Sequence, residues 1–454
     1  MLEVSPRAWR RIGLNLCIVL TLFGAVWDYG GAASGASLFW VFPQFACAGL
    51  CLLFGGSNLS GGLGRWASAL LAIFLVLLVW AGLPALHPAF DADGQRVSPL
   101  DRYALIVEWV RLAGFAALFL SGYVQGSDRR AGRLLFDMIL VLGVAHAVWA
   151  VLAFQQTPDM VRGLDKQMHL GRLTGSFLSA NTAGAFFGAL SCAAAVRAAR
   201  KGGSVMTAAV DRGVPASAWT PVLLYGLAVI VLWSALLLTL SRTAITVSAG
   251  VLLLFLAYEL IKALTALDDR RAQLAIGGGA LALLVGVVAA LFGSRLTDKF
   301  AQLQADAATR VDIAHAFGPA LKATPLFGYG LGGFGSLSGH LITPANAEVL
   351  WNLGAAHNLI LQWWLETGIV GLVLGGLVIA MLLGRLAWRY FKSRMERWRA
   401  GAALAAGLVL LLHSLTDIPL QIGAVTALFA VMLGWGVAEV REDARGRSRP
   451  KAFG

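Results

Sequence analysis

Apolar residues along this chain gather into runs of about 17–22 residues, the length that crosses a bilayer core. Runs at 12–28, 37–56, 66–83, 103–121, 133–154, 176–196, 220–240, 243–261, 273–292, 366–384, 400–415 and 421–438 predict an all-α polytopic membrane protein with about twelve transmembrane helices. Soluble core helices are shorter and carry an apolar stripe, whereas these segments are apolar all round. The division between the seventh and eighth runs rests on Ser241-Arg242-Thr243. An arginine inside a long apolar stretch is costly unless the chain turns there or the charge faces a cavity.

The loops set an orientation. With the N-terminus in the cytoplasm, alternate loops collect most of the basic residues. They hold Arg7, Arg10 and Arg11, then Arg65, then Arg129, Arg130 and Arg133, then Arg197, Arg200, Lys201 and Arg212, then Lys262, Arg270 and Arg271, and later Arg385 to Arg399 and Arg441 to Lys451. That asymmetry predicts both termini in the cytoplasm. The chain then divides into helices one to nine over 1–292, a periplasmic loop region over 293–365, and helices ten to twelve with a cytoplasmic tail over 366–454. Within the long loop, 295–323 reads as helical with a break near Gly318-Pro319. A loop of this length on one face usually has a function.

Composition supports the membrane reading and removes others. The chain has 454 residues, 58% hydrophobic and 13% charged, about half the charge of a soluble domain. Its net charge of +12 would suggest nucleic acid in a soluble protein, but here topology accounts for it, and no nucleic-acid partner is expected. The four cysteines, Cys17, Cys47, Cys51 and Cys192, all lie in apolar runs and form no disulfide or metal motif. The first run follows Arg7, Arg10 and Arg11 without a convincing cleavage site, so it reads as a retained span.

The unusual polar residues collect at the periplasmic ends of the runs. They are Asp28, Glu108 with Arg111, Arg172, Arg242, Arg310, His357, Glu366, His413 and Asp417. Such groups at one membrane face need water, each other or an anionic ligand. Arginines around a cavity suit a phosphate, because guanidinium is always charged and offers forked donors. Each also has a plain reading. Arg242 can be a turn residue that snorkels to the headgroups. Glu108 and Arg111, spaced i,i+3, suit an intrahelical ion pair. His146, mid-run, suits helix packing. Gly328-x-Gly330-x-x-Gly333 matches a dinucleotide fingerprint but follows Pro325 with no βαβ unit around it, so its glycines serve tight turning or close approach.

Four stretches together resemble the O-antigen ligase and O-antigen polymerase superfamily of bacterial membrane glycosyltransferases. They are Leu170-Gly-Arg172-Leu-Thr-Gly175-Ser-Phe with Asn181; Ser241-Arg242-Thr243-Ala244; Thr309-Arg310 with Ala323-Thr-Pro325-Leu-Phe-Gly328-Tyr-Gly330; and His357-Asn358-Leu-Ile-Leu-Gln362 with Glu366-Thr-Gly368. Ser414-Leu-Thr-Asp417-Ile-Pro-Leu-Gln is similar to a later stretch of such proteins, and the likeness covers about 170 to 425. The chain departs from the pattern at Ser179-Ala180 and at Ile360, neither expected to do chemistry.

The resemblance implies transfer of a glycan from undecaprenyl diphosphate to an acceptor hydroxyl at the periplasmic face of the bacterial inner membrane. The acceptor is lipid A–core in ligases, another lipid-linked glycan in polymerases, and a protein side chain in a third branch. Arg242 and Arg310 are expected to hold the diphosphate and His357 to act as general base, these three being the catalytic residues, with Arg172 a third cation that binds substrate. Asn358 is expected to orient the imidazole, and Glu366 or Asp417 to polarise it or bind sugar hydroxyls. No cofactor and no obligatory metal are expected. The rival from another class is a lipid-linked oligosaccharide flippase, but transporters place polar sites near the midplane and often contain internal repeats.

Overall fold

The computed structural model describes residues 5–31, 36–56, 65–90, 94, 96–264, 315–351, 353–392 and 396–440. The predicted span 273–292, the loop helix up to residue 314 and Arg310 lie outside them.

The described chain is almost wholly helical. Eight helices come first: α1 (Pro6–Trp27), α2 (Ala36–Gly55), α3 (Arg65–Gly82), α4 (Arg102–Ser127), α5 (Arg129–Gln156), α6 (Ala180–Arg212), α7 (Thr220–Leu238) and α8 (Arg242–Leu264). After the undescribed stretch come the short α9 (Phe334–His340) and α10 (Ala347–Leu350), then α11 (Leu359–Lys392), α12 (Arg397–Ser414) and α13 (Gly423–Val437). Among the described residues nine helices are long and apolar enough to cross a membrane, namely α1 to α8 and α11. The expected spans at 400–415 and 421–438 fall on α12 and α13. Of these, α13 is apolar but short, and both are packed deep inside the protein. The loop helix differs from its expectation. Residues 315–322 are helical straight through Gly318-Pro319, and the Pro319 carbonyl accepts from the Ala323 amide at 3.0 Å.

Helix α6 is the hub, packing on α7, α8 and α12, and 83% of its most apolar window is buried, against 17% for α3 and α11. Small residues make this possible. A Cβ on Gly184 would meet the Ala244 Cβ at 2.8 Å, and one on Gly188 would meet the Ser248 hydroxyl at 2.1 Å. Two glycines four apart therefore let α8 lie against α6, which fixes where α8 begins. On the other side α4 and α13 approach as closely, since a Cβ on Gly434 would lie 2.0 Å from the Phe119 carbonyl.

Helix ends are capped from within. Asp101 accepts from the Ala104 amide at 2.9 Å, and Asp128 accepts from Arg130 and Ala131. Ser179 caps α6 through the Asn181 amide at 3.2 Å. These side chains satisfy amides that have no partner inside the helix. Two small antiparallel hairpins decorate the loops: β1 (Ala89–Phe90) with β2 (Arg96–Ser98), and β3 (Met160–Val161) with β4 (Leu164–Asp165).

Helix α11 is two helices joined at Gly368, whose backbone sits at φ 68°, ψ −179°. Carbonyls freed by the break are taken up from outside. Leu365 O accepts from the Tyr329 amide at 2.7 Å, Glu366 O from the Gly330 amide at 3.1 Å, and Thr367 O from the Trp80 indole at 3.0 Å. The glycine-rich loop is thus a strand-like clamp on a broken helix, satisfying backbone groups that lipid could not. A Cβ on Gly328 would lie 2.4 Å from the Glu366 carbonyl carbon. The glycines serve close approach, and what approaches is backbone.

Candidate active site at one end of the bundle

The alternating helices bring the loop before α6, the α7–α8 turn, the start of α11 and the α12–α13 turn to one end of the bundle. There the side chains form a chain of contacts. His357 Nδ1 lies 3.3 Å from Asp417 Oδ1. The other Asp417 oxygen accepts from Asn181 Nδ2 at 2.5 Å. Asn181 Oδ1 in turn accepts from Arg172 Nη2 at 3.0 Å. Arg172 is further held by Nε on the Thr239 carbonyl at 2.9 Å and by Nη1 on His169 Nδ1 at 3.2 Å. The Leu173 amide donates to Leu238 O at 3.0 Å, stitching the loop before α6 to the end of α7.

Asp417 is the pivot. Burial works against its charge, yet hydrogen bonds from His357 and the Ile418 amide, with the nearby imidazoles of His413 and His357, hold its carboxyl below the usual carboxylate range. An ionised Asp417 only accepts, so the contact puts a proton on His357 Nδ1, and in the neutral ring Nε2 then carries the lone pair. The His357 side chain is 45% exposed while that of Asp417 is 11% exposed, so the imidazole faces solvent and its partner does not. This is the orienting arrangement by which a carboxylate fixes an imidazole for proton abstraction. His413 lies behind, fully buried, with Nε2 3.9 Å from Asp417 Oδ2. Among the described residues neither of its ring nitrogens meets a hydrogen-bonding partner.

The arginines make the opposite wall. Burial, then the neighbouring Arg242 charge, lower the pKa of Arg172, with Asp417 opposing, so the two guanidinium groups share one region. Arg242 is the first residue of α8, where the helix dipole disfavours a cation and favours an anion. The α6 N-terminus opens beside it at Ser179. The region shared by the two arginines, at the start of α8, has the chemistry to take an anion. Backbone strain falls here too: Leu240 (φ 52°), His169 (φ 61°) and His357 (φ 49°) all sit in the left-handed region, which a side chain adopts only when its surroundings impose it.

The remaining expected residues are placed differently. Asn358 turns its side-chain oxygen onto the Leu361 amide at 3.0 Å, capping the first half of α11, so Asp417 and not Asn358 holds the His357 ring. Glu366 is buried, accepting from Gln362 Nε2 at 3.0 Å and from the amides of Gly332 and Phe334. Of the two carboxylates considered for His357, distance selects Asp417, and Glu366 belongs to the glycine-loop clamp. Glu108 and Arg111 form an ion pair, and Arg111 also donates to Gln421 O at 3.2 Å. Gln421 Nε2 donates to Gln362 Oε1 at 2.5 Å, which ties this pair to the clamp. Arg310 lies outside the described residues. Sequence reasoning did not assign Asn181 or His169 to the site. Asn181 stands in the first turn of an apolar helix, where an asparagine reads as a cap, and only the fold sets it opposite Asp417.

No curated protein matches the chain significantly. Residues 227–376 match the family model described as O-antigen ligase. That stretch, about a third of the chain, contains Arg242, the glycine-loop clamp, His357 and the break of α11 at Gly368, and over it the chain is similar to the O-antigen ligase family.

Proposed function

We propose that the protein is a membrane glycosyltransferase that moves a glycan from undecaprenyl diphosphate to an acceptor hydroxyl, at the periplasmic face of the bacterial inner membrane. The observation that carries this reading is one exposed imidazole backed by a buried carboxylate, set beside Arg172 in the loop before α6 and Arg242 at the N-terminus of α8. His357 Nε2 takes the acceptor hydroxyl proton. The oxygen attacks the anomeric carbon, the bond from that carbon to the diphosphate oxygen breaks, and the leaving diphosphate keeps the electron pair. Arg172 and Arg242, with Arg310 as a further cation, neutralise the charge that grows on it. Asp417 steadies the imidazolium that forms. The donor already carries a good leaving group, so no nucleotide or other cofactor is required, and the arginines do the work a metal does in other transferases. The acceptor is another glycan or lipid A–core; a protein side chain would use the same chemistry.

A transporter such as a flippase would have no use for an oriented base at one face. Purified full-length protein is expected to transfer glycan from an undecaprenyl-diphosphate donor to an added acceptor, with excess EDTA leaving the rate unchanged. Arg242→Ala should lose transfer and keep its place in the membrane. Translocation of the donor without any glycosidic product would overturn the reading, and inhibition by EDTA would overturn its metal independence. Orientation is tested with His340→Cys, expected to react with an impermeant thiol reagent in spheroplasts; labelling only after lysis would reverse it.

A further inference from the structure

We infer that His169 is a second imidazole of this site and the counterpart of His357: it donates a hydrogen bond from Nε2–H to the diphosphate that Arg172 and Arg242 hold. The inference rests on the transferase reading above.

The loop that carries His169 is built to hold it. The β3–β4 hairpin is closed by the Lys166 amide on Asp159 O at 2.8 Å. Lys166 Nζ ties the loop's two ends together, donating to Pro158 O at 2.6 Å and to Arg172 O at 2.7 Å. Asp159 accepts from the Gly171 amide at 2.7 Å. Between these ties His169 is kept at φ 61°, with its own carbonyl accepting from the Arg172 amide at 3.3 Å. A bulky residue is strained in that conformation, and loops bear such strain where a side chain must be aimed.

Its protonation follows from its neighbour. A guanidinium offers only donors, so the 3.2 Å contact from Arg172 Nη1 makes His169 Nδ1 an acceptor. The ring's one proton then lies on Nε2, the nitrogen Arg172 does not engage. Burial, then the Arg172 charge, hold the His169 pKa below the ordinary imidazole range, with Asp417 opposing and Lys166 adding to the shift. His357 has the opposite polarity, Nδ1–H on a carboxylate and Nε2 bare. One ring accepts a proton from the acceptor hydroxyl. The other offers a neutral N–H to an anion and keeps its proton throughout.

The test compares His169→Phe, which keeps a ring without a donor, with His169→Gln, which restores a side-chain N–H. Geranylgeranyl diphosphate binding to full-length protein in detergent is measured beside donor KM and kcat for transfer. A hydrogen bond to a charged group predicts binding weakened about tenfold or more in His169→Phe, with a matching rise in KM, and most of it recovered in His169→Gln. His357→Ala should bind normally and fail to transfer. Binding by His169→Phe within twofold of wild type would overturn the assignment, as would a His169→Gln protein as weak as His169→Phe. Should His169→Phe not fold, ¹⁵N-histidine solid-state NMR of the wild type decides. A neutral Nε2–H signal that moves on adding geranylgeranyl diphosphate and is missing from His169→Gln supports the inference; a cationic or Nδ1–H ring overturns it. Wild-type protein that neither binds the diphosphate nor transfers glycan would instead bring down the transferase reading, and this inference with it.

Discussion

The two ends of the bundle use arginine in opposite ways. At the end away from the site, arginines meet carboxylates. Arg11 pairs with Asp128 at 2.6 Å, Arg129 and Arg133 with Glu396, Arg200 with Glu259 at 2.7 Å, and Arg385 with Glu439 at 2.6 Å. The fully buried Arg399 donates to Trp435 O at 2.6 Å, and Arg389 to Gly436 O and Ala438 O at the C-terminus of α13, where the helix dipole favours a cation. At the site end Arg172 is held by a carbonyl, an asparagine and a histidine, all neutral, and reaches Asp417 only through Asn181. Arg111, at the same end, is paired with Glu108. Charge neutralised by carboxylates, or set on the carbonyls of a helix C-terminus, holds helices together; in the proposed function Arg172, held by neutral partners beside a half-exposed imidazole, meets an anion from outside.

The sharpest way to break this contrast is at the base. His357→Ala should lower transfer roughly 10²–10⁴-fold, the usual size of general-base catalysis, with thermal stability close to wild type because the exposed ring holds little of the fold. Asp417→Asn should follow it in activity. A folded His357→Ala protein with a wild-type rate would remove the base. If that protein were instead lost from the membrane, the exposed ring would be a packing residue.

Next come the arginines. Arg172→Ala and Arg242→Ala should each cost transfer about 10²–10³-fold, as loss of a charge-stabilising donor does. Lysine at either place should recover only part, since a point charge cannot copy a fork. At the other end Glu396→Ala should do the reverse, lowering unfolding stability by about 2 kcal/mol and leaving the rate per folded molecule unchanged. That is less than the ~3–5 kcal/mol of a fully buried pair, because the Arg129 partner is half exposed. Equal effects on rate and stability in all three variants would erase the distinction between the two ends.

These residues also mark what sequence can and cannot reveal. Spans were legible because lipid demands long apolar runs, and Arg242 stood out because an arginine in such a run needs a reason. His357, Arg172 and Asp417 were legible as polar residues gathered at one face. Pairing was not. Asp417 and Glu366 look alike in sequence, both acidic residues near a span end, and only the fold puts one 3.3 Å from His357 and wraps the other in loop amides. The break at Gly368 was hidden because glycine is common in membrane helices, and this chain has 53 glycines. Its cause lies forty residues upstream, in a loop whose backbone supplies the missing donors.

That loop gives a further comparison, between a scaffold inside the site end and the groups proposed to do chemistry there. Gly330 sits at φ 98°, and a Cβ on it would meet the Pro99 Cβ at 2.6 Å. Gly330→Ala should therefore destabilise the loop by more than the ~1 kcal/mol that φ alone costs an L residue. Limited proteolysis should cut within 325–340 faster than in wild type. Transfer should fall in proportion to the loop population that opens, with donor KM unchanged. A raised KM without faster cleavage would mean that the loop touches the donor directly and is no mere clamp.

The smallest effect is expected at Asn358, next to the residue with the largest. Its side-chain oxygen accepts from the Leu361 amide, and its carbonyl accepts from the Gln362 amide at 3.0 Å. Both are capping contacts that satisfy amides of the first α11 turn. Replacing such a cap with alanine costs about 1 kcal/mol. The imidazole next door is held by Asp417, which Asn358→Ala does not touch. Transfer by Asn358→Ala should thus stay within about threefold of wild type, and Asn358→Asp or Asn358→Ser, which also cap, should restore the stability. Thermal unfolding and transfer are measured on the same preparations. If Asn358→Ala instead lost activity on the scale of His357→Ala at unchanged stability, Asn358 would be holding the ring or the substrate. The His357–Asp417 contact would then no longer suffice as the device that aims the base.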